Sequence, residues 1–540
     1  MAIEQHRGVV VARNGMVAAS QPLAVSAGLK TLQEGGSFVD AAISVSSVLA
    51  VTEPYSSHLG GDAFVIVYEA ATGETVAFNA SGAAPAAATL ASFPDGIPSR
   101  GIRAASVPGL VDCWFTLHER YGTKRVAKLL DQAISYALYG FPAGYRHTRV
   151  FGDNLESLTQ FPETAVALNG DAERSTIRPG RTMVQKDLAW SLQQIADCGR
   201  SAFYSGEITD RILDYSSSHG GLFSAEDFAG HQTQVMDPIQ TDYRGHTVHG
   251  QPPVSQGHIL LQQLNIIEGY DMAGYGHNTA DSIHLQVEAK KRAFADRHAY
   301  LGDPAFVDVP MHTLLSKSYA ATRRSEISLN RASDHVSSGS VDHDTTYFCV
   351  IDAAGNAISF IQSVFWVFGS AAVAPGTGIL FNNRMTGFSL DTNSPNVLAP
   401  GKRTAHTLNA YLVTSNTKSG GARLAFVGGT PGGDIQVQSN LQVVTNMIDF
   451  GMNPQEAVEA PRWQHGGSVG APGEAGAELL AIEDRVSPAV RNELTERGHH
   501  VAALGPWAHG SSYQLIAVDP ETGAYMAGSD PRCDGHAAGY

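Results

Sequence analysis

The residues best suited to chemistry lie at Asp344-Thr345-Thr346. A threonine hydroxyl is a poor nucleophile until a base takes its proton, and a threonine at a chain start can use its own α-amine for that. Such an amine has a pKa of about 7.7–8.0, so a useful fraction is neutral near pH 7. A cut between Asp344 and Thr345 would create this arrangement at the head of a strand, with His343 beside it. Two rival patterns fail on their surroundings. Gly466-Gly467-Ser468-Val469-Gly470 fits GxSxG, but a serine nucleophile of that kind needs a sharp strand-to-helix turn, and here no apolar strand precedes it and a Gly/Ala/Pro-rich loop follows. The 21 histidines show no HExxH or other ligand spacing, so no metal and no cofactor is expected.

The threonine needs a rigid mount, and the flanking pattern supplies one. Thr346–Asp352 alternates as a strand, Ala354-Gly355-Asn356 turns, and Ala357–Ser363 returns. Ahead of it, Arg324–Val341 is rich in Ser, Asn and Asp without a period, and Ser333–Ser340 reads as mobile and exposed. Earlier, Val9–Ala12 and Met16–Ala19 around Asn14-Gly15 predict a hairpin. Pro22–Glu34 and the apolar Asp40–Val51 predict helices, and Phe64–Glu69 with Thr75–Phe78 predicts strands. Asp281–Tyr300 has Ile283, Val287 and Phe294 on one side, which places Lys290-Lys291-Arg292 on a solvated face. Later come a strand at Ala422–Val427, the turn Gly428–Asp434, a helix at Ile435–Met447, a helix at Val486–Arg497 and a terminal hairpin. Strands flanked by buried helices fit stacked sheets between helix layers.

Bulk properties bound the function. The chain has 540 residues and a formal net charge of -16. No strong basic patch offsets that charge, so nucleic acid is not an expected partner. No stretch approaches a membrane span, the first residues lack a signal-peptide pattern, and the expected location is cytoplasmic. Cys113, Cys198, Cys349 and Cys533 are widely spaced; reduced, mostly buried thiols are expected rather than a disulfide framework or zinc site.

Several further segments, in order, resemble the γ-glutamyltransferase family nearly end to end: Gly35-Gly36-Ser37-Phe38-Val39-Asp40, Glu53-Pro54 with Gly60-Gly61, Asp344-Thr345-Thr346-Tyr347, Gly378–Asn383, Pro400-Gly401-Lys402-Arg403 and Pro431-Gly432-Gly433. The resemblance implies an α+β fold, the αββα four-layer sandwich of N-terminal-nucleophile hydrolases. It implies a precursor that cuts itself into a large subunit, 1–344, and a small subunit, 345–540, which stay together and can pair into a dimer. Thr345 would be the nucleophile, Ser363 the hydroxyl that orients it, and Gly432 and Gly433 the backbone donors to the oxyanion.

The γ-glutamyl pocket does not carry over. Phe365 stands where the family has an asparagine. Arg384-Met385-Thr386-Gly387 replaces Gln-Met-Asp-Asp, so the acid that grips an α-ammonium is Gly387. The family's paired serines become His406-Thr407, its carboxylate-binding arginine aligns loosely with Leu90, and the Phe388–Lys402 stretch is short, which predicts a missing lid. A pocket that loses an acid and gains Arg384 should prefer an acyl group with a carboxylate and no ammonium. His406 adds a donor and Phe365 shrinks the space; the expected substrate is a small amide of the oxamate or glutaryl kind. The alternative for Arg384 is an ordinary surface ion pair; the alternatives for the protein are a γ-glutamyl hydrolase or transferase with a rearranged pocket, and an unprocessed relative that only binds.

Overall fold

In the computed structural model, which describes residues 6–169, 177–333, 345–416, 421–466 and 478–540, fourteen strands build two seven-stranded antiparallel sheets. In chain order they are β1 (Val10–Ala12), β2 (Met16–Ala19), β3 (Asp62–Tyr68), β4 (Thr75–Asn79), β5 (Gln234–Met236), β6 (Ile239–Tyr243) and β7 (His246–Gly250). Then follow β8 (Thr346–Ile351), β9 (Ala357–Ser363), β10 (Tyr411–Asn416), β11 (Ala422–Gly429), β12 (Gln514–Val518), β13 (Tyr525–Ser529) and β14 (His536–Gly539). One sheet runs β14-β2-β8-β9-β3-β4-β5 and the other β1-β13-β12-β11-β10-β7-β6.

The period of two along each strand sorts side chains into layers. From β8, Tyr347, Cys349 and Ile351 pack between the sheets with Phe64 and Ile66 of β3 and with Leu412, Val427 and Ile516 of the second sheet. Their neighbours Phe348 and Val350 face the other way, onto helices α1 (Pro22–Gln33) and α2 (Phe38–Thr52). The second sheet turns Tyr411, Val413 and Leu515 onto helices α3 (Gly257–Ile267) and α5 (Gln436–Ile448); α4 (Ala280–Tyr300) lies beside α3. The order is helices, sheet, sheet, helices, the four-layer αββα sandwich. All fifteen residues of α2 are buried, and a Ser37–Asp40 capping box satisfies its first turn.

Two expectations fail. β1 and β2 do not form a hairpin: β1 pairs with β13 in one sheet while β2 pairs with β8 and β14 in the other. Alternation is the same in both cases, so it cannot say which partner a strand takes. Nor does α4 expose its basic run. Lys290, Lys291 and Arg292 are all buried. Lys291 Nζ and Arg292 Nη1 pair with the buried Glu288 carboxylate at 3.0 and 2.8 Å, and Lys290 Nζ lies 4.1 Å over the Phe294 ring. Burial pushes the Lys290 ammonium down to about 7. The hairpin β8–β9, the helices α1 and α2 and the terminal hairpin β12–β13 form as expected. His343, Asp344 and residues 334–340 lie outside the described residues; Ser333 is half-buried.

Candidate active site

Register puts the site together. Thr346 faces Gln362 across β8–β9, and Ser363 faces Asp62 across β9–β3. Thr345, one residue before Thr346, therefore comes opposite Ser363. Thr345, Ser363 and Asp62 thus form one row on the face between the sheets. Strand spacing of about 4.8 Å makes that row about 10 Å long. Thr345 is 3% exposed. Its Oγ1 donates to Ser363 Oγ at 3.1 Å, and the Phe365 N–H donates to the same oxygen at 2.8 Å. Phe365 has φ 83°, a strained conformation for a non-glycine residue.

Asp62 organises the far end of the row. It was not among the residues the motifs singled out, although an acid heading the apolar run Ala63–Tyr68 directly after Gly60-Gly61 is a signal in itself. Arg384 Nε meets Asp62 Oδ2 at 3.0 Å, and the two side chains are 1% and 0% exposed. His406 Nε2 meets the same oxygen at 3.2 Å, and the Gly82 N–H donates to Oδ1 at 3.2 Å. The Leu408 N–H points at His406 Nδ1, so the ring proton sits on Nε2 and is donated to Asp62. Burial alone would raise the Asp62 pKa; the His406 hydrogen bond, the Arg384 charge and the Gly82 N–H outweigh it and hold the carboxyl below its usual range. Burial lowers the Arg384 guanidinium to about 10.

Arg384 is thus no surface residue. Its guanidinium lies 4.1 Å over the Phe365 ring. Nη1 and Nη2 are buried, and neither has a hydrogen-bond partner among the described residues. The Asn382 side chain fixes this turn: it accepts from the backbone N–H groups of Arg384 and Ser106 and donates to the Gly60 and Ser106 carbonyls.

A cavity of about 330 Å³ is lined among others by Phe365, Gly387, His406, Thr407 and Asp434, whereas Thr345, Ser363, Arg384, Gly432 and Gly433 are not in its lining. Phe388, Ser389, Ser394, Pro395 and Asn396 also line it, so the short stretch expected to leave the site bare walls it instead. Lys402 Nζ pins that stretch by donating to the Pro395 and Val397 carbonyls. Leu90 is 38% exposed and is not part of the lining. A Cβ on Gly387 would lie 2.9 Å from Thr404 Oγ1, so an acid there would have to displace Thr404.

The Gly432-Gly433 turn, with φ of 123° and 54°, follows β11 and runs into Asp434. These angles suit glycine, and the absent side chains leave the backbone approachable. Arg297 forks onto Asp434 at 2.5 and 3.1 Å and donates to Gln256 Oε1 at 2.7 Å. Gln256 Nε2 in turn donates to the Gly433 and Thr407 carbonyls. The turn is therefore tied to the cavity wall through Arg297, Asp434 and Gln256.

A second cluster is closed. Ligand atoms of His284, Glu288 and His499 come within 4.8 Å of one another. His284 Nδ1 already bonds His499 Nε2 at 2.8 Å, and Lys291, Arg292 and Ser333 occupy the Glu288 oxygens.

Two stacked seven-stranded sheets enclosed by helix layers form the N-terminal-nucleophile hydrolase class of sandwich. Within that class, the family described as Gamma-glutamyltranspeptidase matches residues 24–540, and the chain belongs to that family of enzymes. It is 39% identical over 533 residues to the Glutathione hydrolase-like YwrD proenzyme of Bacillus subtilis, spanning 98% of this chain and 99% of the relative. It is 34% identical to the Oxamate amidohydrolase proenzyme of Klebsiella pneumoniae, at 98% and 99% coverage. Among solved structures, cephalosporin acylase from Bacillus halodurans superimposes with a TM-score of 0.90 at 35% identity, covering 100% of this chain and 98% of that one. No helix among the described residues is long and apolar enough to cross a membrane.

Proposed function

We propose that this protein is an amidohydrolase that cuts itself between Asp344 and Thr345 and then hydrolyses amides of small, carboxylate-bearing acyl groups. The freed Thr345 Oγ attacks the amide carbonyl and its proton passes to the Thr345 α-amine. Backbone N–H groups of Gly432 and Gly433 receive the oxyanion; losing one such donor typically costs about 10²–10³ in rate. The C–N bond breaks, the amine leaves with the proton, and water hydrolyses the ester. Cleavage yields 1–344 and 345–540, which remain associated.

The observation that carries the acyl specificity is the pair of unpartnered Arg384 nitrogens. Asp62 neutralises the guanidinium through Nε and leaves the Nη1–Nη2 edge for a second carboxylate, the geometry of a bidentate pair. The row from Thr345 to Asp62, about 10 Å, limits the acyl group to a few carbons. At position 387 there is no acid to hold an ammonium, and one placed there would have to displace Thr404. The names of the relatives, oxamate amidohydrolase and cephalosporin acylase among them, agree with amide cleavage at such a site.

The test offers the purified protein glutaryl and γ-glutamyl anilides, identical but for the α-amine, with oxamate alongside. Faster cleavage of glutaryl or oxamate is expected. Faster cleavage of the γ-glutamyl compound would make this a conventional γ-glutamyl enzyme. A denaturing mass spectrum should show two chains meeting at Thr345.

A further inference from the structure

The nucleophile's strand is held unevenly. β8 pairs with β9 from Thr346 through Ile351, but with β2 only from Phe348 through Ile351. On the β2 side, the end that bears Thr345 therefore has no ladder partner at Thr346 or Tyr347 among the described residues. Strand ends fray where few hydrogen bonds hold them, and cleavage before Thr345 would turn this one into a chain terminus.

A side-chain chain fills the gap. Ser20 is the residue after β2, and its Oγ lies 2.6 Å from Thr346 Oγ1 and 2.8 Å from Glu53 Oε2. Ser20 donates its one hydroxyl proton to Glu53, so the short contact must run from the Thr346 hydroxyl to Ser20. All three are buried. They lie on the helix side of the sheet, beneath the nucleophile, where β8 otherwise presents Phe348 and Val350 to an apolar layer. Glu53 is the C-terminal cap of α2, so the chain ends on the best-buried helix of that layer.

We infer that Ser20 and Glu53 are positioning residues for the nucleophile, acting through Thr346 as a lateral tether where the backbone ladder stops. The inference rests on the reading of Thr345 as the nucleophile. The tether holds the first residues of the strand so that Thr345 Oγ keeps its place over Ser363; a displacement of about 1 Å can cost about 10²-fold in rate.

The experiment compares Thr346→Val, nearly the same shape without the hydroxyl, with Thr346→Ser, which keeps it. Ser20→Ala and Thr345→Ala are made alongside. Steady-state kinetics of the full processed protein on the faster of the two anilides, or on oxamate, give kcat and KM. Thr346→Val and Ser20→Ala should lower kcat about 10- to 100-fold with KM within about twofold, and Thr346→Ser should recover most of it. A part that only stabilised the fold would lower the melting temperature and leave kcat alone. If Thr346→Val does not accumulate, Ser20→Ala, which removes one oxygen, decides. A kcat within twofold of the parent for both variants, with Thr345→Ala inactive, overturns the tether alone. Turnover by Thr345→Ala overturns the nucleophile assignment and the tether with it.

Discussion

Two buried ion clusters invite comparison, one around Asp62 and one around Glu288. In each, a fully buried carboxylate is flanked by basic side chains. At Glu288 both oxygens and both cations are engaged: Lys291 and Arg292 pair with the acid, and both reach the carbonyl or hydroxyl of Ser333. At Asp62 the acid is satisfied but the arginine is not, because two of the three nitrogens of Arg384 have no protein acceptor among the described residues. A closed cluster fixes chain geometry; an open one has binding capacity left. A metal-like grouping of His284, Glu288 and His499 is therefore less informative than two orphaned nitrogens.

The sharpest way to break this contrast is Glu288→Ala. It strands Lys291 and Arg292 in a dry interior and should cost about 3–5 kcal/mol of stability, read as a lower denaturant midpoint, while kcat/KM of the surviving folded enzyme stays within about twofold. Arg384→Met is the converse. It should lower kcat/KM for carboxylate-bearing acyl amides about 10²-fold or more, because the anion loses its charged partner, and should leave neutral acyl amides nearly unaffected. Acid adds a subtler mark. Burial would raise the Glu288 pKa, but the Lys291 charge and the Ser333 hydrogen bonds lower it from 4.5 to about 2. A depressed folded-state pKa means stability that is complete above the unfolded value and lost as pH falls from about 4.5 towards 2. The parent's denaturant midpoint should drop through that window more steeply than that of Glu288→Ala. The smallest effect is expected at Phe365: Phe365→Leu should shift the glutaryl-to-oxamate preference by a few fold, as pocket volume alone usually does.

The residue types and order of the candidate site could be read from the sequence, and its electrostatics could not. Thr345, Ser363 and the Gly432-Gly433 turn stand out because their types and order are unusual together, and the β8–β9 hairpin because its alternation and turn are local. Arg384 could be proposed as a cation in the right loop, but its burial depends on Asp62, 322 positions away. No period or spacing links two such residues. The basic run of α4 misled for the same reason: Glu288 lies within one turn, but only the packing of the whole helix shows that no solvent reaches that face. The β1–β2 pair shows the limit of turn chemistry, since Asn14-Gly15 here redirects the chain between sheets.

The strand order has a practical consequence for anyone who would make the two segments as separate genes. In the sheet that carries Thr345, β8 and β9 from beyond position 345 are inserted between β2 and β3 from before it, and β14 closes the outer edge. A product ending at 344 would fold with a slot two strands wide. One starting at 345 would present a hairpin bare on both flanks, and unpaired edges recruit whatever strand they meet. Co-expression of 1–344 and 345–540 should therefore yield aggregates far more readily than the uncut gene, even though the polypeptides are the same.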